Sequence, residues 1–180
     1  MARLRAFSAR DFPRVGLLAC FLALPACASG PRYADYSPSM KPLDPAASRL
    51  TIFRESHFSG SGMDARVKID GKTVGTVPNG SVLVVDHAPG NLKISLDSRA
   101  DMFDGMEFPI TAEPAHAYYI EIRSTHADYM QTMGGALPYL LGSMRAEGVT
   151  DYCGHGWCAA LRSESEAAPK LAELDVERPD

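Results

Sequence analysis

Between Ser48 and Ser124 the chain alternates apolar and polar residues in short runs, and each run stops at a turn signal. Leu50 and Ile52 alternate with polar neighbours, and Val67 and Ile69 alternate with Arg66, Lys68 and Asp70. Asp70-Gly71 is a two-residue hairpin signal, and Val74 to Val77 is the returning strand. Pro78-Asn79-Gly80 and Ala88-Pro89-Gly90 mark further turns. Val82 to Val85 is a continuous apolar run, the pattern of a strand covered on both faces. Leu92, Ile94 and Leu96 alternate again, followed by Met106, Phe108 and Ile110, then Tyr118, Ile120 and Ile122. Gly105, Pro109 and Pro114 fall near turns or a sheet edge. Tyr118 and Tyr119 point to opposite faces, so one of them is expected in the core. About seven short strands at roughly ten-residue spacing predict a mainly β fold, an antiparallel β-sandwich with its core at 49–124.

Residues 125–180 read differently and are expected to pack on the same domain. The stretch from Asp128 to Glu147 carries Met130, Met133, Leu137, Tyr139, Leu140, Leu141 and Met144, interrupted by Gly134-Gly135 and Pro138. Pro138 suits the first turn of a short helical insertion. Trp157 to Leu161 adds a late strand. Ser163, with Glu164 and Glu166 after it, reads as the start of a C-terminal helix that buries Ala167, Ala168, Leu171 and Leu174. Methionine makes adaptable apolar surface, and a contiguous exposed apolar patch marks a partner site. Met130, Met133, Leu137, Tyr139, Leu140 and Trp157 are therefore the candidate partner surface. The alternative is a lid packed on the sandwich.

The chain opens with Arg3, Arg5, Arg10 and Arg14, followed by an apolar run from Val15 to Ala26. Those 12 residues are too few to cross a bilayer as a helix, which takes about 20, but they suit the core of a cleaved secretory signal over 1–26. Leu24-Pro25-Ala26-Cys27 resembles a bacterial lipobox, which implies a mature chain beginning at an acylated Cys27. Leu17-Leu18-Ala19-Cys20 also fits the pattern, but only Val15 to Ala19 separate it from Arg14, fewer than the roughly 7–15 residues of a signal core. An ordinary cleaved signal would leave Cys27 as a free thiol. Two or more acyl chains give stable anchoring. Ala28 rather than an aspartate follows the cysteine, and by resemblance to sorting rules this implies the outer membrane of a Gram-negative bacterium, facing the periplasm. Pro31, Pro38, Pro42 and Pro45 predict that 27–48 is a lipidated cysteine followed by an extended tether, reaching roughly 65 Å at about 3.1 Å per residue.

Cleavage after Ala26 would leave 154 residues, enough for one domain with a real core. The leader takes four arginines and one aspartate with it, so 14 of the 18 basic and 21 of the 22 acidic residues remain, a formal charge of −7. An acidic domain lacks the electrostatic footprint for nucleic acid. Anionic headgroups would repel it, so the acyl chains must hold it to the membrane. No later apolar stretch reaches 18 residues.

Cys153 and Cys158 are the remaining cysteines, and an oxidising compartment favours a disulfide between them. Gly154 and Gly156 give backbone freedom for so tight a ring. Asp151, Cys153, His155 and Cys158 are suitable ligand types for zinc, but the spacing matches no standard chelating pair. A four-residue gap is not the Cys-x-x-Cys of thiol oxidoreductases. Ser59-Gly60-Ser61-Gly62 lacks the Lys-Ser/Thr of a phosphate loop. His57, Ser59 and Asp64 are common polar loop residues, and a triad is recognised by geometry. Asp101 and Asp104 supply too few oxygens for a calcium loop. The chain is thus expected to be no enzyme, with no catalytic residue, metal or cofactor.

Several segments, in order, resemble a known family. They are Arg49-Leu50-Thr51-Ile52-Phe53-Arg54, Ile69-Asp70-Gly71-Lys72-Thr73-Val74-Gly75, Asn79-Gly80-Ser81, Ala88-Pro89-Gly90-Asn91-Leu92-Lys93-Ile94 and Ala117-Tyr118-Tyr119-Ile120. The family is the domain of unknown function twenty-eight forty-six of bacterial envelope lipoproteins, and the run is also similar to the shorter PEGA module. The resemblance implies a β-sandwich lipoprotein of undefined activity and transfers no catalytic residue. Segment 125–162 departs from the family's usual short link. The expected function is a non-enzymatic, lipid-anchored binding or structural module working through protein–protein contact with an envelope partner. A second reading is glycan or peptidoglycan binding on a stacking platform of Tyr129, Tyr139 or Trp157. A third is a periplasmic hydrolase.

Overall fold

The computed structural model describes residues 30–58, 61–98, 105–124, 151–154 and 156–180. The expected mainly β sandwich is present. Seven strands fill the predicted core: β1 (Ser48–Arg54), β2 (Ala65–Ile69), β3 (Lys72–Val77), β4 (Ser81–His87), β5 (Gly90–Ser98), β6 (Met106–Ala112) and β7 (Ala117–Ser124). Three more follow, β8 (Asp151–Cys153), β9 (Trp157–Arg162) and β10 (Asp175–Glu177). A helix, α2 (Glu164–Leu171), joins the last two, and a one-turn helix, α1 (Tyr33–Tyr36), precedes β1.

The strands form a six-stranded sheet, in the order β10-β4-β1-β7-β9-β8, and a four-stranded sheet, β3-β2-β5-β6. Strict alternation aims one side of each strand at the space between the sheets. Leu50, Ile52, Ile120, Ile122, Trp157 and Ala159 of the larger sheet there meet Val67, Ile69, Ile94, Leu96 and Phe108 of the smaller one. The run Val82–Val85 is covered on both faces, as its composition predicts. Leu83 and Val85 join this core, while Val82 and Val84 pack on the opposite face. Tyr118 and Tyr119 divide in the same way, and both are half-buried, each against a different core.

Asp70-Gly71 closes the β2–β3 hairpin between the paired Ile69 and Lys72. Both turn residues are left-handed, with φ of 51° and 81°, the conformation that makes Asp-Gly a preferred pair for such turns. Asp70 also ties in the neighbouring strand. Its backbone N–H donates to the Lys93 carbonyl and its carboxylate accepts from the Lys93 N–H, each at 2.9 Å. Pro109 lies on the edge strand β6, where its missing N–H costs no ladder bond.

Two neighbouring pairs are parallel, β1 with β7 and β4 with β10, whereas all other neighbours are antiparallel. A tight hairpin enforces antiparallel pairing. The partners of the two parallel pairs are instead joined through other elements, so no hairpin fixes their direction.

The Pro-rich tether expected over 28–48 is corrected for its described part. Residues 31–33 pair with β10, and Tyr33 and Tyr36 pack on the outer face of the larger sheet. Proline density favours extended chain, but the two tyrosines supply apolar area that is buried only by docking on the domain. Ala168 is also corrected: it is exposed, and Ala167, Leu171 and Leu174 bury the inner face of the C-terminal segment.

Candidate functional site

The outer face of the six-stranded sheet carries a second, smaller core. Phe53 of β1 and Val82 of β4 meet Ala167 and Leu171 of α2 and Leu174 and Val176 beyond it. The start of α2 is fixed as its sequence predicts. The Ser163 hydroxyl accepts from the Glu166 N–H, and the Glu166 carboxylate accepts from the Ser163 N–H at 2.9 Å. The Ser163 hydroxyl also donates to the Glu166 carboxylate at 2.6 Å, and this bond, with that from the Ser163 N–H, holds the Glu166 carboxyl below its usual range. Pro169 lies within α2, close to its end at Leu171.

A groove of about 350 Å³ runs between α1 and α2, with Tyr33, Met40, Tyr119, Glu164, Ala168 and Leu171 among its lining residues. Burial raises both phenols, Tyr33 further through the charge of Tyr119 and both through that of Glu164. Both therefore stay protonated at neutral pH, so they are hydrogen-bond donors and not bases. Beneath the start of β1, Arg49 grips Asp86 with two hydrogen bonds of 2.6 and 2.8 Å, which lower the Asp86 carboxyl and raise the guanidinium.

Beside the groove lies a cluster of buried charge. Glu121 of β7 is 3% exposed. Its carboxylate accepts from Arg162 Nε at 2.5 Å and from Lys170 Nζ at 2.8 Å, and Lys170 also reaches Glu55 at 2.5 Å. Burial pushes the Glu121 carboxyl up, but the bonds from Lys170 and Arg162 outweigh it and hold the group at about 2. For Lys170, burial alone would lower the ammonium, and its bonds to Glu121 and Glu55 raise it instead. These four residues join β1's end, β7, β9 and α2, so their chemistry is spent on holding the helix to the sheet.

The predicted residues are distributed unevenly. Cys153 and Cys158 form a disulfide, 2.05 Å between the sulfurs, and pair across β8 and β9 with 4.1 Å between Cα atoms. Both thiols are thereby consumed. Gly154 is needed for space: a Cβ there would lie 2.8 Å from Met106 Cβ. Trp157 is a correction. It is 1% exposed and part of the inter-sheet core, because β9 turns it towards the smaller sheet, so it belongs to no partner surface or stacking platform. Cys27, Met130, Met133, Leu137, Tyr139 and Leu140 lie outside the described residues, as do Ser59, Asp101, Asp104, Tyr129 and His155. Among the described residues, no group of three His, Cys, Asp or Glu side chains is placed to hold a metal, and no helix is long and apolar enough to cross a membrane. Phe58 is the exposed large apolar residue among them, and a lone one is ordinary.

Sequence reasoning missed Arg54 and Glu121. Arg54 continues the inward phase of Leu50 and Ile52, which placed it inside. Glu121 interrupts Ile120 and Ile122 on a face that looks solvated until α2 covers it. No family model, curated protein or solved structure matches the chain.

Proposed function

We propose that this chain is a lipid-anchored module of the Gram-negative envelope, attached through acyl chains on Cys27 to the outer membrane and facing the periplasm. It works without catalysis, by contact with an envelope protein. The Cys153–Cys158 bond is the observation that most supports this reading, since structural disulfides persist in oxidising compartments and are rare in the cytosol. The relationship to the envelope-lipoprotein family belongs to the same proposal and rests on the ordered turn motifs, of which Asp70-Gly71 closes the hairpin expected of it.

The contact is assigned to 125–150, with Met130, Met133, Leu137, Tyr139 and Leu140. That segment leaves β7 at Ser124 and returns at Asp151 of β8, an edge strand of the larger sheet. The glycan reading has lost Trp157 as a platform.

The test has two parts. Mass spectrometry of the mature protein should find its first residue to be Cys27 carrying acyl chains. Crosslinking in intact cells should recover one envelope protein, and a variant lacking 128–147 should lose it. An uncut, unmodified leader would refute the anchoring, and an unchanged crosslink in the variant would refute the assigned contact.

A further inference from the structure

The chain is built into the fold from Gly30 onward. The Val176 N–H donates to the Pro31 carbonyl at 2.9 Å, and the Tyr33 N–H donates to the Leu174 carbonyl at 2.8 Å. Arg32 bridges Asp175 in antiparallel fashion, and its guanidinium donates to the Glu173 carbonyl at 2.7 Å. Gly30 is so close to β10 that a Cβ there would collide with the Val176 carbonyl. Tyr33 and Tyr36 add apolar contact to the outer core. The free edge of β10 is therefore covered by 30–33. Three residue steps separate Cys27 from Gly30, and even fully extended they span at most ~11 Å.

We propose that the surface formed by 30–32 and β10 faces the lipid bilayer. This rests on the acylation of Cys27 proposed above and adds to it an orientation. The domain is held against the bilayer, with 30–32, β10 and the C-terminal residues 178–180 apposed to the headgroups, and does not stand off on a long tether. Near this edge Glu173, Asp175, Glu177 and Asp180 outnumber Arg32 and Arg178, so anionic headgroups do not attract it. The short chain imposes the apposition. β8, where 125–150 returns, is the opposite edge of the same sheet. Five strand spacings of ~4.8 Å separate the two edges by ~24 Å, which puts β8 on the side away from the membrane.

The test uses the full acylated protein in nanodiscs of phosphatidylethanolamine and phosphatidylglycerol, with a gadolinium chelate on a fraction of the headgroups. Paramagnetic broadening of backbone amide signals should be severalfold stronger at Arg32 and Val176 than at Tyr152. Inserting a flexible Gly-Ser linker of twelve residues between Ala28 and Ser29 should remove that difference while acylation and fold persist. Equal broadening of the two edges in the unmodified, acylated chain would overturn the orientation and leave the anchoring intact. A mature protein without acyl chains would overturn both.

Discussion

The Arg54 guanidinium lies 5.1 Å from the centre of the Trp157 ring. Both residues are 1% exposed. Arg54 ends β1 and Trp157 begins β9, two strands separated in the sheet by β7. The guanidinium also donates to the Met63 carbonyl, which ties the approach to β2 over the same end of the sandwich. Burial lowers the Arg54 pKa, and the charge of Asp64 opposes that shift. A desolvated cation over an indole contributes about 2 kcal/mol. Trp157 is thus a plug at the end of the inter-sheet core, and its cation holds it there.

Trp157→Ala should therefore cost about 3–5 kcal/mol, the range for removing a large buried aromatic. Urea denaturation followed by circular dichroism checks it. A loss below about 1 kcal/mol, the scale of a surface substitution, would contradict the placement of this residue.

How much of this was legible depended on whether a signal was local. The strands of 49–124 were, because alternation and turn pairs such as Asp70-Gly71 act within a few residues. The capping box at Ser163 and Glu166 was readable for the same reason. Trp157 misled because a lone tryptophan after a Gly-rich turn reads as surface until β9 is paired with β7 and its inward phase is fixed. Residues 31–36 misled because the prolines at 31, 38, 42 and 45 describe the chain alone, whereas β10, about 140 positions later, supplies the edge they dock on. The Glu121 cluster was invisible for a related reason: its partners Glu55, Arg162 and Lys170 are brought together only by sheet order and by the docking of α2 on the sheet.

Replacing Cys153 and Cys158 together by serine should lower stability by about 2 kcal/mol. The ring they close has only four intervening residues, so little chain entropy is removed from the unfolded state. The denaturation midpoint should fall with its slope nearly unchanged. A loss above about 5 kcal/mol, beyond the range for disulfides, would mean that the bond does more than close the β8–β9 hairpin.

Gly154→Ala tests the approach of that hairpin to β6. The added Cβ would lie 2.8 Å from Met106 Cβ and 3.5 Å from its Cα, so the backbone of one strand must yield. Overpacking of this kind costs about 1–3 kcal/mol. Pairing the change with Met106→Gly should restore part of the loss, and a double-mutant cycle in denaturant measures the coupling. Strict additivity of the two changes would show that the residues do not touch.

Glu121 is one of the carboxyls, with Asp86 and Glu166, that make the fold sensitive to acid. Its carboxyl is held at about 2, below the ordinary value of 4.5 that it takes in the unfolded chain. A carboxyl lowered on folding stabilises the protein fully above the unfolded value and loses that contribution as pH falls towards the folded one. The window is therefore pH 4.5 to about 2, and the 2.5 units correspond to about 3 kcal/mol. Glu121→Gln should remove this contribution and, by taking the carboxylate away from between Arg162 and Lys170, destabilise the protein at neutral pH by about 3 kcal/mol. Chemical denaturation at a series of pH values decides it. The wild-type and variant curves should converge as pH approaches 2, and curves that stay parallel across that window would show that Glu121 is not the group that titrates.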